Sequence, residues 1–202
     1  MITEVFDRFK RVIQTLAPPI QASWNPPAST EEIIAAQDKL GIEFPDELKE
    51  LLRCAGGQPY PQIMCDPIFP SIRFRGGELG RTGYAWLAPL DRIVERGLLF
   101  RDEFKDIMVD VAAGAEVELI GPVSLHTNVI DLTETDGALT LCLDLSPEKG
   151  GKVGQVIHLS TQPLQVAVIA NSLTSFILTV LDGYLSHRFH VKGKRFVWRE
   201  DD

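Results

Sequence analysis

One stretch of the chain, residues 138–159, constrains the fold more than any other. Its first part, 139–145, places a leucine at every second position, which is the pattern of a β-strand with a row of leucines on one face. Its last part, 153–159, is a shorter run of β-forming residues. The six residues between them, SPEKGG, combine proline and glycine as turns do. The stretch therefore predicts an antiparallel hairpin with Leu141 and Leu143 buried in the core.

The clearest helix signals lie in residues 29–55. Ser29 and Glu32 have the spacing of a capping box, in which each side chain binds the backbone amide of the other at the start of a helix. Gly41 is suited to end that helix in the left-handed conformation, and Pro45 is suited to the first turn of the next one. The segment therefore predicts a pair of helices, the second of which ends near residue 55.

Three further segments have apolar residues at helical spacing, and Gly97 is a potential break in the second of them. These segments are 2–16, 90–113 and 172–187. Short runs of β-forming residues predict further strands. They lie at 86–89, 116–120, 123–132, 165–169, 188–191 and 195–198. Residues 57–85 are rich in glycine and proline and predict a long loop, of a kind that tends to be functional or mobile.

The order of these segments, with helices first, then strands in series, then a helix, predicts an α+β fold. We expect a single, mainly antiparallel sheet of four to six strands covered by helices. We also expect one domain over residues 1–202, with an extra N-terminal helix at 2–16 and a basic C-terminal tail at 188–199.

The charge and apolar content of the chain narrow the classes of function. A formal net charge of −8 argues against a nucleic acid as a direct partner, because phosphate binding requires a basic surface. No run approaches the ~18 apolar residues that span a bilayer, and the N-terminus lacks the apolar core of a signal peptide. The three cysteines have no paired spacing. We therefore expect a cytoplasmic protein that binds neither membranes nor nucleic acids directly.

Sequence motifs of catalysis and of metal binding are sparse. Of the four histidines, only His187 and His190 lie close together in sequence, which is too few for a metal site. The chain contains no nucleophile elbow, phosphate loop, dinucleotide fingerprint or HExxH sequence. The residues therefore predict no catalytic group, no metal and no cofactor. Three alternatives stay open: a Cys–His pair through Cys54 or Cys65, an enzyme that uses the 57–85 loop as a lid, and a small-ligand-binding module.

Charge is distributed unevenly along the chain. Residues 31–50 carry seven acids and two lysines, and residues 133–148 carry four acids and no basic residue. Residues 188–199, in contrast, carry five cations. Solubilising charge commonly produces such a pattern, but the pattern also predicts an acidic face that would steer a basic protein partner.

Several short motifs, taken in order, resemble those of the SUKH superfamily, in the Smi/Knr-type branch named for fungal regulators of cell-wall glucan synthesis. The N-terminal signature is carried by PPAS, EEI, LGI, FPxxLK and GGQ, between residues 26 and 58. The middle is carried by WLxPLxxI from residue 86, and the C-terminal signature by LCLDLxP, GQVI and ANSLxxF, between residues 141 and 176. The resemblance covers about residues 24–185.

The resemblance implies a non-enzymatic, intracellular domain that binds proteins. Its bacterial members look like immunity proteins that neutralise polymorphic toxins, many of them nucleases, and its fungal members act in wall-synthesis signalling. We therefore predict a bacterial immunity protein whose partner is a cognate toxin domain, with a regulator of cell-wall synthesis as the alternative. The aromatic residue that the family usually carries before the Asp-Gly turn is absent here, where the sequence reads HTNVI from residue 126.

Loops on a rigid sheet are where binding residues tend to lie. We therefore place the partner contacts at strand ends and turns of the predicted sheet. The candidate residues are Trp86, Asp136, Asp144, Glu148 and Gln155. Trp86 would be an aromatic anchor, and the acids would increase the association rate and the selectivity. The alternative is a structural role, with Trp86 in the core and Asp144 capping a turn.

Overall fold

The computed structural model describes residues 1–16, 24–59, 85–112, 114, 116–135, 139–161, 164–192 and 195–198. Five helices and nine strands lie in these ranges. The helices are α1 (Ile2–Leu16), α2 (Thr30–Leu40), α3 (Asp46–Cys54), α4 (Leu90–Ala112) and α5 (Leu173–Leu185). The strands are β1 (Ala85–Leu87), β2 (Glu118–Ile120), β3 (Val129–Asp131), β4 (Thr133–Thr135), β5 (Leu139–Asp144), β6 (Gln155–Thr161), β7 (Leu164–Ala170), β8 (Phe189–Lys192) and β9 (Arg195–Trp198). None of these helices combines the length and the apolar character that crossing a membrane requires.

Five strands form the central sheet, in the order β2-β7-β6-β5-β3. Its neighbouring strands are antiparallel, as predicted, except for the parallel pair β2–β7. The chain crosses from one edge of the sheet to the other between β2 and β3. β2 and β7 are therefore not joined by a tight hairpin. Without such a connection, nothing requires the two strands to be antiparallel. The α+β class is confirmed, and β8 pairs with β9 in the predicted terminal hairpin.

The predicted hairpin of β5 and β6 lies inside this sheet. The two strands are antiparallel, with Leu143 opposite Val156. Leu141 and Leu143 are 5% and 1% exposed, which confirms them as core residues. Cys142, which lies between them, belongs to the apolar cluster on the other face and is fully buried as well. Both faces of the hairpin are therefore covered.

Local sequence signals set the ends of α2. The backbone amide of Glu32 donates to Ser29 Oγ at 3.1 Å, and the amide of Ser29 donates to Glu32 Oε2 at 2.7 Å. The predicted capping box is thus present, and Gly41 ends the helix at φ = 61°, in the left-handed region. Pro45 lies one position before α3 rather than in its first turn.

The helix α4 runs without interruption through Gly97, so the potential break there does not occur. This glycine lies where α4 contacts α2, and a Cβ atom on it would be only 2.9 Å from Leu40 Cδ2. The missing side chain lets the two helices approach closely. Their contact therefore compensates for the lower helix propensity of glycine.

Two apolar clusters cover the two faces of the sheet. The larger one joins α1, α2, α3 and α5 to one face and includes Phe6 and Phe9 of α1, both fully buried. Phe9 packs against Tyr184 of α5 with 5.9 Å between the ring centroids. In the smaller cluster, Phe100 and Ile107 of α4 pack against the other face. This sheet therefore presents mainly its strand ends and loops to a partner.

Some predicted segments are shorter than expected or fall outside the described residues. The strand predicted at 123–132 begins only at Val129, because the backbone amide of Asn128 binds the ring of His126 instead of a neighbouring strand. The Asp-Gly turn at 136–137 and most of the 57–85 loop lie outside the described residues.

Candidate protein-binding surface

The structure brings three of the five candidate residues together and places a fourth elsewhere. Asp144, at the end of β5, faces Gln155, at the start of β6, and Glu148 lies in the loop between them. Trp86 is a half-buried residue of β1, which pairs with β4 beside the other end of β5. Because β5 has six residues, these two ends are about 20 Å apart. Asp136 lies outside the described residues.

Asp144 and Gln155 form a buried polar pair, and both side chains are 0% exposed. Gln155 Nε2 donates to Asp144 Oδ2 at 2.9 Å and to the carbonyl of Pro122 at 3.1 Å. Gln155 Oε1 accepts from the backbone amide of Lys152 at 3.2 Å. Asp144 Oδ1 accepts from the amide of Ser146 at 2.9 Å, so the carboxylate also caps the turn that follows β5. These bonds supply the partners that burial of polar groups requires.

His126 and Asn128 extend this pair toward the surface. His126 Nε2 lies 3.0 Å from Asp144 Oδ1, and His126 Nδ1 accepts from the backbone amide of Asn128 at 3.1 Å. Because Nδ1 accepts, the hydrogen of the neutral ring is assigned to Nε2, which donates to the carboxylate. Asn128 Nδ2 donates to Ser146 Oγ at 2.6 Å. His126 therefore braces the hairpin between Asp144 and the backbone of Asn128.

The loop between β5 and β6 is also fixed through its backbone. Gly154 donates to the carbonyl of Asp144 at 2.7 Å, and Gly151 donates to that of Glu148 at 2.9 Å. The amide of Glu148 donates to the carbonyl of Pro122 at 3.2 Å. A Cβ atom on Gly151 would lie 2.9 Å from that same carbonyl oxygen, so glycine is required for the close approach.

The exposed part of this loop is residues 148–153, which we call the hairpin tip. Val153 is 69% exposed, the largest value for a large apolar side chain in the described residues other than Met1. Glu148 and Lys152 beside it are exposed as well. An apolar residue surrounded by charged ones has the arrangement of a small interface centre with a polar rim.

A depression of ≈ 550 Å³ adjoins the hairpin tip. Lys152 and Val153 form one wall, and the first turns of α3 and α5 form the others. These two helices are joined there, because Thr174 Oγ1 donates to Glu47 Oε1 at 2.7 Å and the Thr174 amide donates to Glu47 Oε2 at 3.2 Å. The tip and the depression together form one surface with a raised apolar residue beside a recess.

The helix pair α2–α3, of which α3 borders the depression, is acidic on its exposed side. Glu31, Asp38, Glu43 and Asp46 are exposed. Lys49 Nζ lies 2.8 Å from Asp46 Oδ1 and 3.7 Å from Glu43 Oε1, so one ammonium group forms ion pairs with two carboxylates. This part of the surface therefore carries a net negative charge.

The described residues include no cluster of metal-ligating side chains. No three His, Cys, Asp or Glu side chains among them could hold a metal ion. Burial raises the pKa of the Cys142 thiol well above its usual value, so this thiol stays protonated and is a poor nucleophile. Burial lowers the pKa of His158 to about 4, so its ring is neutral at physiological pH.

The sequence did not indicate that Val153 would be exposed. It belongs to the run 153–159 that predicted a strand, but β6 begins at Gln155 and is preceded by Gly154 at φ = 83°. A glycine at positive φ belongs to a turn, so the glycine after Val153 was the signal that could have placed it there. The role of His126 was missed too, because its carboxylate partner comes from a distant part of the chain.

Comparison with known proteins agrees with the motifs and the fold. The model of the SMI1 / KNR4 family (SUKH-1) matches residues 27–179, which include α2, α3, the central hairpin and the start of α5. No curated protein matches the chain. Because the family model covers well over half of the 202 residues, the chain belongs to the SMI1 / KNR4 family (SUKH-1).

Proposed function

We propose that this chain is an immunity protein that binds a cognate toxin domain and blocks it, without catalysing a reaction. The observation that carries this proposal is the hairpin tip, where an exposed apolar residue and exposed charges lie on a loop fixed by buried hydrogen bonds. Membership of the SUKH-1 family supports a binding domain rather than an enzyme.

A fixed loop favours tight binding because little conformational entropy is lost when a partner contacts it. Val153 would enter an apolar site on the toxin, and the depression beside it would receive a side chain of the toxin. Glu148, exposed at the tip, would lie opposite basic groups of the toxin and fix the orientation of the complex.

The five candidate residues have different roles in this proposal. Glu148 contacts the partner directly, whereas Asp144 and Gln155 are buried and position the loop. Trp86 would belong to a second contact region at the other end of β5. Asp136, which lies outside the described residues, stays a predicted contact. A standard interface of about 800 Å² per partner is roughly 30 Å across and can reach both ends of that strand.

The acidic surface of α2 and α3 suits a partner with a basic groove, as a nuclease toxin has. Its negative field would speed the encounter with such a groove, and the bound chain would exclude nucleic acid from it. The association rate would then fall markedly as the salt concentration rises from about 50 mM to about 500 mM, because the Debye length shrinks.

A second candidate function is a small-ligand-binding module. The depression of ≈ 550 Å³ and a groove of ≈ 540 Å³ between α2 and α4 favour it, because ligand pockets have volumes of several hundred Å³. A regulator of cell-wall synthesis that acts through protein contacts would use the same hairpin tip as an immunity protein.

The test is co-expression of the chain with the product of the gene next to its own, measured as growth of the host cells. The wild-type chain is expected to restore growth. The double variant Glu148→Lys/Val153→Asp is expected to lose this effect, and Asp136→Lys to weaken it.

The matched control is Leu99→Asp, which introduces the same charge at a 54% exposed position on α4, away from the hairpin tip and from the acidic surface of α2 and α3. It should restore growth as well as the wild type does. A double variant that restores growth fully would contradict the role of the tip. A turnover activity that stays with the chain through purification would contradict the proposal that it is not an enzyme.

A further inference from the structure

A second recess in the protein shares no residue with the depression at the hairpin tip. It is a groove of ≈ 540 Å³ between α2, the first turns of α4 and the extended segment 25–28. Most of its lining is apolar. The apolar residues include Pro26, Pro27, Ala35, Ala36, Leu90 and Val94.

The two helices that form the walls of the groove lie side by side. Leu40, at the end of α2, packs on Gly97 of α4, and the carbonyl of Leu40 accepts from Arg101 Nη2. On the N-terminal side of this contact, Ala35 and Ala36 of α2 line the groove, and their small side chains leave it open. The groove follows about two turns of α2, or roughly 10 Å.

The groove is already formed without a partner. The amide of Ala28 donates to the carbonyl of Leu52 at 2.9 Å, which attaches the extended segment to α3. At the floor, a Cβ atom on Gly56 would lie 2.1 Å from the carbonyl oxygen of Pro26, so the two backbones are in close contact. A bound segment would therefore order little of the protein, which favours affinity.

Charged side chains lie at the two ends of the groove. Glu32, in the first turn of α2, and Asp91, in the first turn of α4, place two carboxylates at one end. Lys39, in the last turn of α2, places an ammonium group at the other end. The groove is thus apolar along its length and has opposite charges at its ends.

We propose that this groove binds a short segment of a protein partner in which aliphatic residues separate a basic residue from an acidic one. The aliphatic side chains would cover Ala35 and Leu90. The basic residue would pair with Glu32 and Asp91 and the acidic one with Lys39, so the charges fix the direction of the segment. A proline-rich segment matches less well, because grooves for such segments are lined by aromatic residues and none of these lining residues is aromatic.

This groove is independent of the proposed immunity function, since a chain that neutralises no toxin would still bind such a segment. The experiment is the selection of peptides from a random phage-displayed library on the immobilised full-length chain. The test variant is Ala35→Trp, because Ala35 is exposed on α2 and an indole there would fill the groove. A second test variant, Lys39→Glu, reverses the charge at one end without filling the groove.

The matched control is Ile34→Trp, which adds the same ring at a neighbouring position that is 49% exposed and does not line the groove. Thermal unfolding of each variant is compared with that of the wild type, so that a folding defect is recognised. All three substitutions on α2 are at exposed positions, and we expect the variants to fold.

We expect the enriched peptides to carry a basic residue, aliphatic residues and an acidic residue, and to bind the wild type and Ile34→Trp equally. Their affinity for Ala35→Trp should fall at least tenfold, or by about 1.4 kcal/mol. Lys39→Glu should instead select peptides with a basic residue at both ends. Three results would each overturn the proposal: no enrichment over background, peptides that bind Ala35→Trp as tightly as the wild type, and enriched peptides without the charge pattern.

Discussion

Replacing Asp144 with asparagine removes one charge at the hairpin and leaves the shape of the side chain almost unchanged. In the wild type, Asp144 Oδ1 faces the Ser146 amide and His126 Nε2, and Oδ2 accepts from Gln155 Nε2 at 2.9 Å. An asparagine has only one oxygen. If that oxygen stays toward Ser146 and His126, its amide nitrogen faces the nitrogen of Gln155, and two donors meet.

Gln155 has no alternative orientation that relieves this contact. Its nitrogen also donates to the carbonyl of Pro122, and its oxygen accepts from the amide of Lys152, so turning the amide over would break both bonds. Two buried donors without acceptors, at about 1–3 kcal/mol each, predict a loss of roughly 2–6 kcal/mol. Asparagine is neutral and costs less to bury than a carboxylate, so we expect the lower part of this range, about 2–3 kcal/mol.

The assay is urea unfolding of wild type and Asp144→Asn, followed by tryptophan fluorescence, together with hydrogen exchange of the Ser146 and Lys152 amides. The free energy of unfolding should fall by the amount given above, and both amides should lose protection. The control is Asp182→Asn, which removes an exposed carboxylate paired with Arg188 and should change stability by less than about 1 kcal/mol. A change below about 0.5 kcal/mol in Asp144→Asn would refute the role of the buried pair.

Three further predictions concern the core and the backbone. Leu143→Ala should lower the free energy of unfolding by about 2–5 kcal/mol in urea, because a fully buried side chain in the central hairpin is lost and leaves a cavity. Below pH 6.5 the unfolded chain protonates His158 while the folded chain, with a pKa of about 4, does not. The wild type should therefore lose about 1.4 kcal/mol of stability per pH unit from 6.5 toward 4, relative to His158→Gln, and a flat difference would refute this. Gly57→Ala should cost more than Gly41→Ala when both are unfolded in urea. Both glycines have positive φ, but only at Gly57 does a Cβ atom meet backbone, 2.6 Å from the carbonyl oxygen of Ala88. Equal losses for the two variants would count against this account of Gly57.

The elements that the sequence predicted well are those set by local chemistry. The capping box of Ser29 and Glu32 and the glycine at 41 define both ends of α2, because each signal acts within one turn of the chain. The period-two leucines of β5 predicted the hairpin for the same reason. Family membership followed from the order of several short motifs, none of which is specific alone.

The features that the sequence did not predict depend on contacts between distant segments. The pairing of β2 with β7 joins residues that are 47 positions apart, and no local pattern sets its direction. Asp144 and Gln155 were predicted as partner contacts because loops on a rigid sheet tend to carry binding residues. The structure buries them because they bind the backbone of Pro122 and Lys152. A polar residue next to a turn can therefore be buried and fix the loop in place, as Gln155 does.

The central claim is that this chain acts by binding a toxin domain through the hairpin tip. The most direct test is calorimetric titration of the purified chain with the purified product of the adjacent gene, as the proposed toxin. Val153→Asp is the test variant, and Leu99→Asp, with the same new charge at an exposed position on α4, is the control. The account predicts one-to-one binding by the wild type and the control, and at least a tenfold weaker affinity, about 1.4 kcal/mol, for Val153→Asp. Equal affinity of Val153→Asp and the control, or no binding by the wild type, would contradict it.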